Sequence, residues 1–107
     1  MYIRSYLQNN RMTVALTGEI DHHEAQRAMK IIADKIDAYA PHRCTLDFRD
    51  VAFMDSSGIA IVIMCVRRMR ELGGKLILCN IQPQPMRVFE AAGIQQIAEL
   101  QGGAQYE

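Results

Sequence analysis

The chain has no surplus of charge of either sign, with 12 basic residues against 12 acidic ones, and only three cysteines and three prolines among its 107 residues. Each scarcity removes a class of function. Balanced charge without a polybasic run leaves no electrostatic footprint for nucleic acid or for an anionic membrane surface, so neither is expected as a partner. The longest apolar run, Ile59 to Val66, falls far below the roughly 20 residues that cross a bilayer. Cys44, Cys65 and Cys79 are odd in number, widely spaced and set in apolar segments, so they read as reduced core residues and not as a disulfide framework. The opening Met-Tyr-Ile-Arg-Ser-Tyr lacks the charged start and continuous apolar segment of a signal peptide, and a cytoplasmic location is expected from it. There is no Gly-x-Ser-x-Gly elbow, no P-loop and no dinucleotide glycine pattern. No His or Cys pair has zinc-motif spacing. The expectation is therefore a single domain over residues 1–107 that binds a protein or small ligand, holds no cofactor or metal, and is not an enzyme.

What is present alternates in period. Tyr2 to Leu7 and Met12 to Thr17 read as two strands joined at Asn9-Asn10, residues that tolerate the positive φ of a tight hairpin. From Ala25 the spacing changes to threes and fours through Met29, Ile32, Ile36 and Tyr39, which predicts an amphipathic helix ending before Pro41. Cys44 to Phe48 predicts a third strand, with Arg49-Asp50 as a turn. A second helix follows Ser56 and stops at Gly73-Gly74, a fourth strand covers Lys75 to Cys79, and a short helix covers Pro85 to Ala92 before Gly93. Ile94 to Leu100 is expected as a last short strand and Gly102 to Glu107 as a frayed tail. Strands alternating with helix-length connections predict an α/β fold, a mixed and mostly parallel sheet packed with helices, opened by an antiparallel hairpin.

The most informative spot is Met54-Asp55-Ser56-Ser57-Gly58, where an apolar strand region ends and an apolar helix begins. Asp55, Ser56 and Ser57 are all helix-capping types, because a side-chain oxygen there accepts from a backbone N–H that the helix leaves unpaired. One cap is required; a second serine beside an acid is surplus, and the surplus hydroxyl motivates a functional reading. Asp21-His22-His23-Glu24 is a weaker candidate. Adjacent helical residues project about 100° apart and do not converge on one ion, whereas Asp21 as cap and Glu24 reaching back would form a capping box. Ser56 as a hydrolytic nucleophile would need His22, His23 or His42 as base, and nothing in the sequence brings one to it. Arg67, Arg68 and Arg70 read as a solvated face.

Three blocks carry a family resemblance: Gly18-Glu19-Ile20-Asp21-His22-His23, then Leu46-Asp47-Phe48 through Phe53-Met54-Asp55-Ser56-Ser57-Gly58, then Gly73-Gly74-Lys75-Leu76 and Cys79-Asn80-Ile81 through Arg87-Val88-Phe89 and Gly93. In this order the chain resembles the STAS-domain anti-sigma factor antagonists. The resemblance implies a STAS-like fold and a protein that works by partner switching. Unphosphorylated, such a protein binds an anti-sigma factor that is also a serine kinase, and so releases the sigma factor. The kinase phosphorylates the serine directly after the aspartate, here Ser56, and a metal-dependent serine phosphatase resets it. By the same resemblance Asp21, Asp55, Ser56, Ser57 and Gly58 belong to the partner-binding surface. A phosphate at a helix start is expected to meet free amides and the macrodipole. Two departures stand out: Ala60 replaces a second glycine common in the family, and the residues after Leu100 carry too little apolar periodicity for the usual last helix. The alternative role is a STAS-type accessory subunit of a transporter or stress complex, without a sigma factor.

Overall fold

The structure is a computed structural model in which residues 1–103 are described. Strand β1 (Tyr2–Gln8) and strand β2 (Arg11–Thr17) form the expected hairpin, closed at Asn9 and Asn10 with φ of 53° and 65°. Helix α1 (His22–Tyr39) leads to β3 (Arg43–Asp50), helix α2 (Gly58–Glu71) to β4 (Lys75–Ile81), and helix α3 (Pro83–Ala91) to β5 (Glu99–Gly102) through a short 3-10 turn at Ile94–Gln96. The sheet runs β1-β2-β3-β4-β5, antiparallel between β1 and β2 and parallel elsewhere. Because the strands follow chain order, right-handed crossovers all advance in one direction and deliver the helices to one face. Met12, Val14, Leu16, Cys44, Leu46, Phe48, Leu76 and Leu78 point into that face and are buried. Alternate residues such as Thr13, Ala15, Thr45 and Asp47 line the opposite face and stay half-buried. Phe89 of α3 meets Phe48 of β3 edge to face, with ring centroids 5.2 Å apart, and this pair pins α3 to the sheet.

Several boundaries differ from the sequence expectation for physical reasons. Arg49 and Asp50 make the expected turn, since the Val51 N–H donates to the Phe48 carbonyl at 3.0 Å across them, but β3 also reaches through both, because Thr17 pairs with Asp50 and the Gly18 amide donates to the Asp50 carbonyl at 3.0 Å. Helix α3 begins at Pro83, two residues early, with Pro83 in the first turn where a missing N–H costs no helical bond. The stretch after Gly93 is a 3-10 turn anchored by buried Ile94, and the strand forms only from Glu99. On α1 the buried stripe is Ala25, Ala28, Ile32, Ala33 and Ile36, while Tyr39 is exposed. Of the expected tail, Gly102 belongs to β5 and the Gly103 amide donates to the Ile81 carbonyl; the rest lies outside the described residues.

Candidate functional site

The site is made by two helix starts brought side by side at one end of the sheet. Beyond β2 the chain runs past Gly18 and Glu19 to Ile20, which forms a parallel bridge with Met54. Ile20 N–H donates to the Phe53 carbonyl at 3.2 Å, and Asp55 N–H donates to the Ile20 carbonyl at 3.0 Å. Asp21 and Asp55 therefore follow the bridge on neighbouring strands, whose spacing is about 4.8 Å. His22 and Gly58 open α1 and α2 just after them. Two acidic residues thus stand where two helix dipoles present their positive ends, which is where carboxylates are best tolerated.

The other edge of the Met54 backbone is held by a side chain. Gln84 Oε1 accepts from Met54 N–H at 2.8 Å and Gln84 Nε2 donates to the Met54 carbonyl at 2.9 Å. The Gln84 amide thereby stands in for a neighbouring strand. Gln82 acts similarly one step upstream, its Nε2 donating to the Arg49 carbonyl at 2.6 Å. Nothing local in the sequence marks either glutamine as part of the site.

The capping arrangement differs from the expectation in an informative way. Asp21 caps α1 as expected, its Oδ1 accepting from Glu24 N–H at 2.8 Å. Glu24 does not return the bond: its Oε1 lies 3.6 Å from the Met1 ammonium and 3.3 Å from an Arg27 guanidinium nitrogen, two cations that outbid a single amide for a carboxylate. At α2 the cap is Asp55, whose Oδ1 accepts from Ser57 N–H at 2.8 Å. Ser57 occupies the cap position with helical dihedrals and makes no capping bond through its hydroxyl. The Gly58, Ile59 and Ala60 amides are taken by the Asp55, Ser56 and Ser57 carbonyls at 3.1 to 3.2 Å. The amides of residues 57 to 60, expected to be free at this helix start, are thus already occupied, and the macrodipole remains to face an added charge.

Burial separates the two serines. Ser56 is exposed and Ser57 half-buried. Gly58 is buried, and a Cβ on it would lie 2.3 Å from Met54 Sδ and 2.5 Å from Met54 Cγ. Its place is under the site, as packing, and not on the surface where the resemblance put it. Ala60 is exposed, so its methyl points away from the core. Phe53, 47% exposed just ahead of the bridge, is an apolar surface residue that the sequence reading did not single out. The signal was its position: a phenylalanine in a loop with no periodicity to bury it. Of the three arginines on α2, Arg68 pairs with Asp37 of α1, while Arg67 and Arg70 are exposed.

A STAS domain model matches residues 2–102. The chain belongs to the STAS domain family. Among curated relatives it is 26% identical over 89 residues to an anti-sigma F factor antagonist of Paenibacillus polymyxa, covering 83% of this chain and 76% of that one. It is 28% identical over 100 residues to the anti-sigma-B factor antagonist of Bacillus subtilis strain 168, covering 90% of each. Among solved structures it resembles the anti-sigma factor antagonist SpoIIAA at 26% identity. In that protein's unphosphorylated form the TM-score is 0.81, with 92% of this chain and 87% of that one covered. In the phosphorylated form the TM-score is 0.72, with 92% and 90% covered. Among the described residues no helix is long and apolar enough to cross a membrane.

Proposed function

We propose that this STAS domain is an anti-sigma factor antagonist that binds an anti-sigma factor serine kinase while unphosphorylated and is released when that kinase phosphorylates Ser56. The observation that carries the reading is the division of labour at α2: Asp55 caps the helix, so the exposed Ser56 hydroxyl is not needed for the fold. Phosphorylation transfers the γ-phosphoryl group of ATP to Ser56 Oγ with loss of the hydroxyl proton and release of ADP. The product carries about −1.5 to −2 charges at neutral pH. That charge sits one residue from Asp55, which follows the Ile20–Met54 bridge on one strand as Asp21 does on the other. A partner that covers Ser56 would have to desolvate it among like charges. A 10⁴-fold switch needs only about 5.5 kcal/mol of such difference. Asp21, Asp55, Ser56 and Ser57 with Phe53 make the docking surface in this reading, and Gly58 positions it from below. A serine phosphatase restores the binding form.

The name of the Paenibacillus relative supports an antagonist role, and the solved phosphorylated form of SpoIIAA supports phosphorylation without loss of the fold. The test is phosphorylation by the cognate kinase and ATP, read by fragment mass spectrometry and by calorimetric titration of the kinase in ADP. One phosphate on Ser56 is expected, absent from Ser56→Ala. Phosphate on Ser57, or equal affinity for the modified and unmodified chains, overturns the reading.

A further inference from the structure

The two edges of the sheet are built differently. Strand β5 is four residues long, begins with Glu99, and shifts register against β4 between Leu78 and Ile81. Short, charged and irregular edges resist further pairing. Strand β1 is seven residues long, pairs with β2 without any shift, and has Arg4 as its only charge and no proline. Among the described residues nothing pairs with its outer edge, since β1 ends the strand order. Its surface is also apolar for an edge: Tyr2, Tyr6 and Leu7 are 63%, 53% and 47% exposed.

We propose that β1 is the seam of a homodimer, joined to β1 of a second copy as an antiparallel pair whose two-fold axis passes through Ser5. The register follows from the hairpin. Gln8 and Arg11 close the two-residue turn, so they are a hydrogen-bonded pair, and pairs alternate from there. Tyr6, Arg4 and Tyr2 then also bond to β2, which leaves the N–H and C=O groups of Ile3, Ser5 and Leu7 pointing outward. A two-fold at Ser5 sets Ser5 against Ser5 and Ile3 against Leu7 twice, so that every outward group is used in roughly six inter-chain bonds.

A second copy fits this edge because its side chains are complementary to themselves. Ile3, Ser5 and Leu7 lie on the helix-covered face, opposite Leu16, Val14 and Met12. There the exposed Leu7 would cover the partner's Ile3, and the residue that must meet itself is the small Ser5. On the other face Arg4 stands against the partner's Tyr6, a cation over an aromatic ring, and Tyr2 against the partner's Gln8. No like charges oppose one another. The result is isologous and closed, a ten-stranded sheet in place of two exposed edges.

Sedimentation velocity on the full chain over a dilution series tests this. A reversible monomer–dimer equilibrium is expected. Leu7→Lys, at an exposed position, should raise the dissociation constant by roughly tenfold or more, as charge on an edge does. Ser5→Pro, which deletes the central outward N–H, should do the same with an unchanged far-ultraviolet circular dichroism spectrum; if that variant does not fold, Leu7→Lys alone decides. Tyr6→Glu should tighten the dimer by about twofold or more through the partner's Arg4, and Arg4→Ala should abolish the gain. A chain that stays monomeric at millimolar concentration overturns the proposal, as does a dimer that Leu7→Lys leaves intact.

Discussion

Gly58→Ala asks how much of the switch depends on the packing beneath it. In the first turn of a helix the exchange of glycine for alanine normally stabilises, by roughly 0.5 to 1 kcal/mol. Here the added Cβ falls 2.3 Å from Met54 Sδ and 2.5 Å from Cγ, inside any tolerable contact. Met54 has no easy retreat: its side chain is fully buried and its backbone is bridged to Ile20 and clasped by Gln84. Forcing a methyl into such a core costs about 1 to 3 kcal/mol. The net expectation is a destabilisation of about 1 to 2 kcal/mol, and each kcal/mol lowers the melting temperature by about 4 to 8 °C for a domain near this size. Urea denaturation and thermal melts measure it. The decisive control is Met54→Ala, which alone should cost about 2 to 5 kcal/mol. In that background the contact is gone, and Gly58→Ala should become neutral or mildly stabilising, a coupling on the order of 1 to 3 kcal/mol. A Gly58→Ala chain that melts higher than the parent, or that costs the same in both backgrounds, refutes the packing argument.

Asp21→Ala should lose about 1 kcal/mol of stability with the Glu24 bond, while Asp21→Asn keeps the capping oxygen and should melt nearly unchanged; loss of partner binding in the asparagine variant then reports contact. Gln84→Ala should cost about 1 to 3 kcal/mol, because both Met54 backbone groups lose their partner, and hydrogen exchange at the Met54 amide should accelerate. Burial pushes the Cys44 thiol up to about 12 and raises Cys65 as well. Both are raised above their unfolded values, so this stability is complete below the ordinary thiol value of about 8.5 and is lost as pH rises through the folded values. The unfolding free energy from urea titrations should therefore fall from pH 8.5 upward by as much as about 1.4 kcal/mol per pH unit per thiol, and less steeply in Cys44→Ala. Thiol labelling of the native chain should reach half-buried Cys79 well before the two buried cysteines.

The parts of the fold legible in the sequence are those set by local chemistry. Asn9-Asn10 gave the hairpin because few other residues accept positive φ twice in succession. The spacing of Ala25, Ile32 and Ile36 gave α1, and Asp21 its cap. What escaped is non-local. Arg49 and Asp50 read as a turn, which they make, but nothing local shows that Asp50 also pairs with Thr17 and accepts from the Gly18 amide. Glu24 fits a capping box until the folded chain brings the Met1 ammonium to it. The Ile20–Met54 bridge and the Gln84 clasp join residues about thirty positions apart, and no periodicity encodes them. Motif and spacing therefore singled out Asp55 and Ser56, yet not which of them caps the helix.

That last distinction bears on how a switch can be added to a small domain without unfolding it. If Ser56 supplied the cap, phosphorylation would remove a structural acceptor while adding charge, and stability and partner affinity would fall together. With Asp55 holding the Ser57 amide, modification of Ser56 leaves the helix start hydrogen-bonded. The new charge is repelled by Asp55 and Asp21 and attracted by the positive ends of α1 and α2, each worth some tenths of a kcal/mol to about 1 kcal/mol at an exposed position. These terms oppose one another and nearly cancel in the free protein. Under a docked partner they do not, because water no longer screens the phosphate and the neighbouring carboxylates remain. In the proposed switch the signal is therefore carried by affinity alone. Ser56→Glu should melt within a few degrees of the parent while binding the kinase more weakly, and Ser56→Ala should keep both stability and binding. A Ser56→Ala chain that melts markedly lower would place the cap on Ser56 after all, and would tie the switch to the fold.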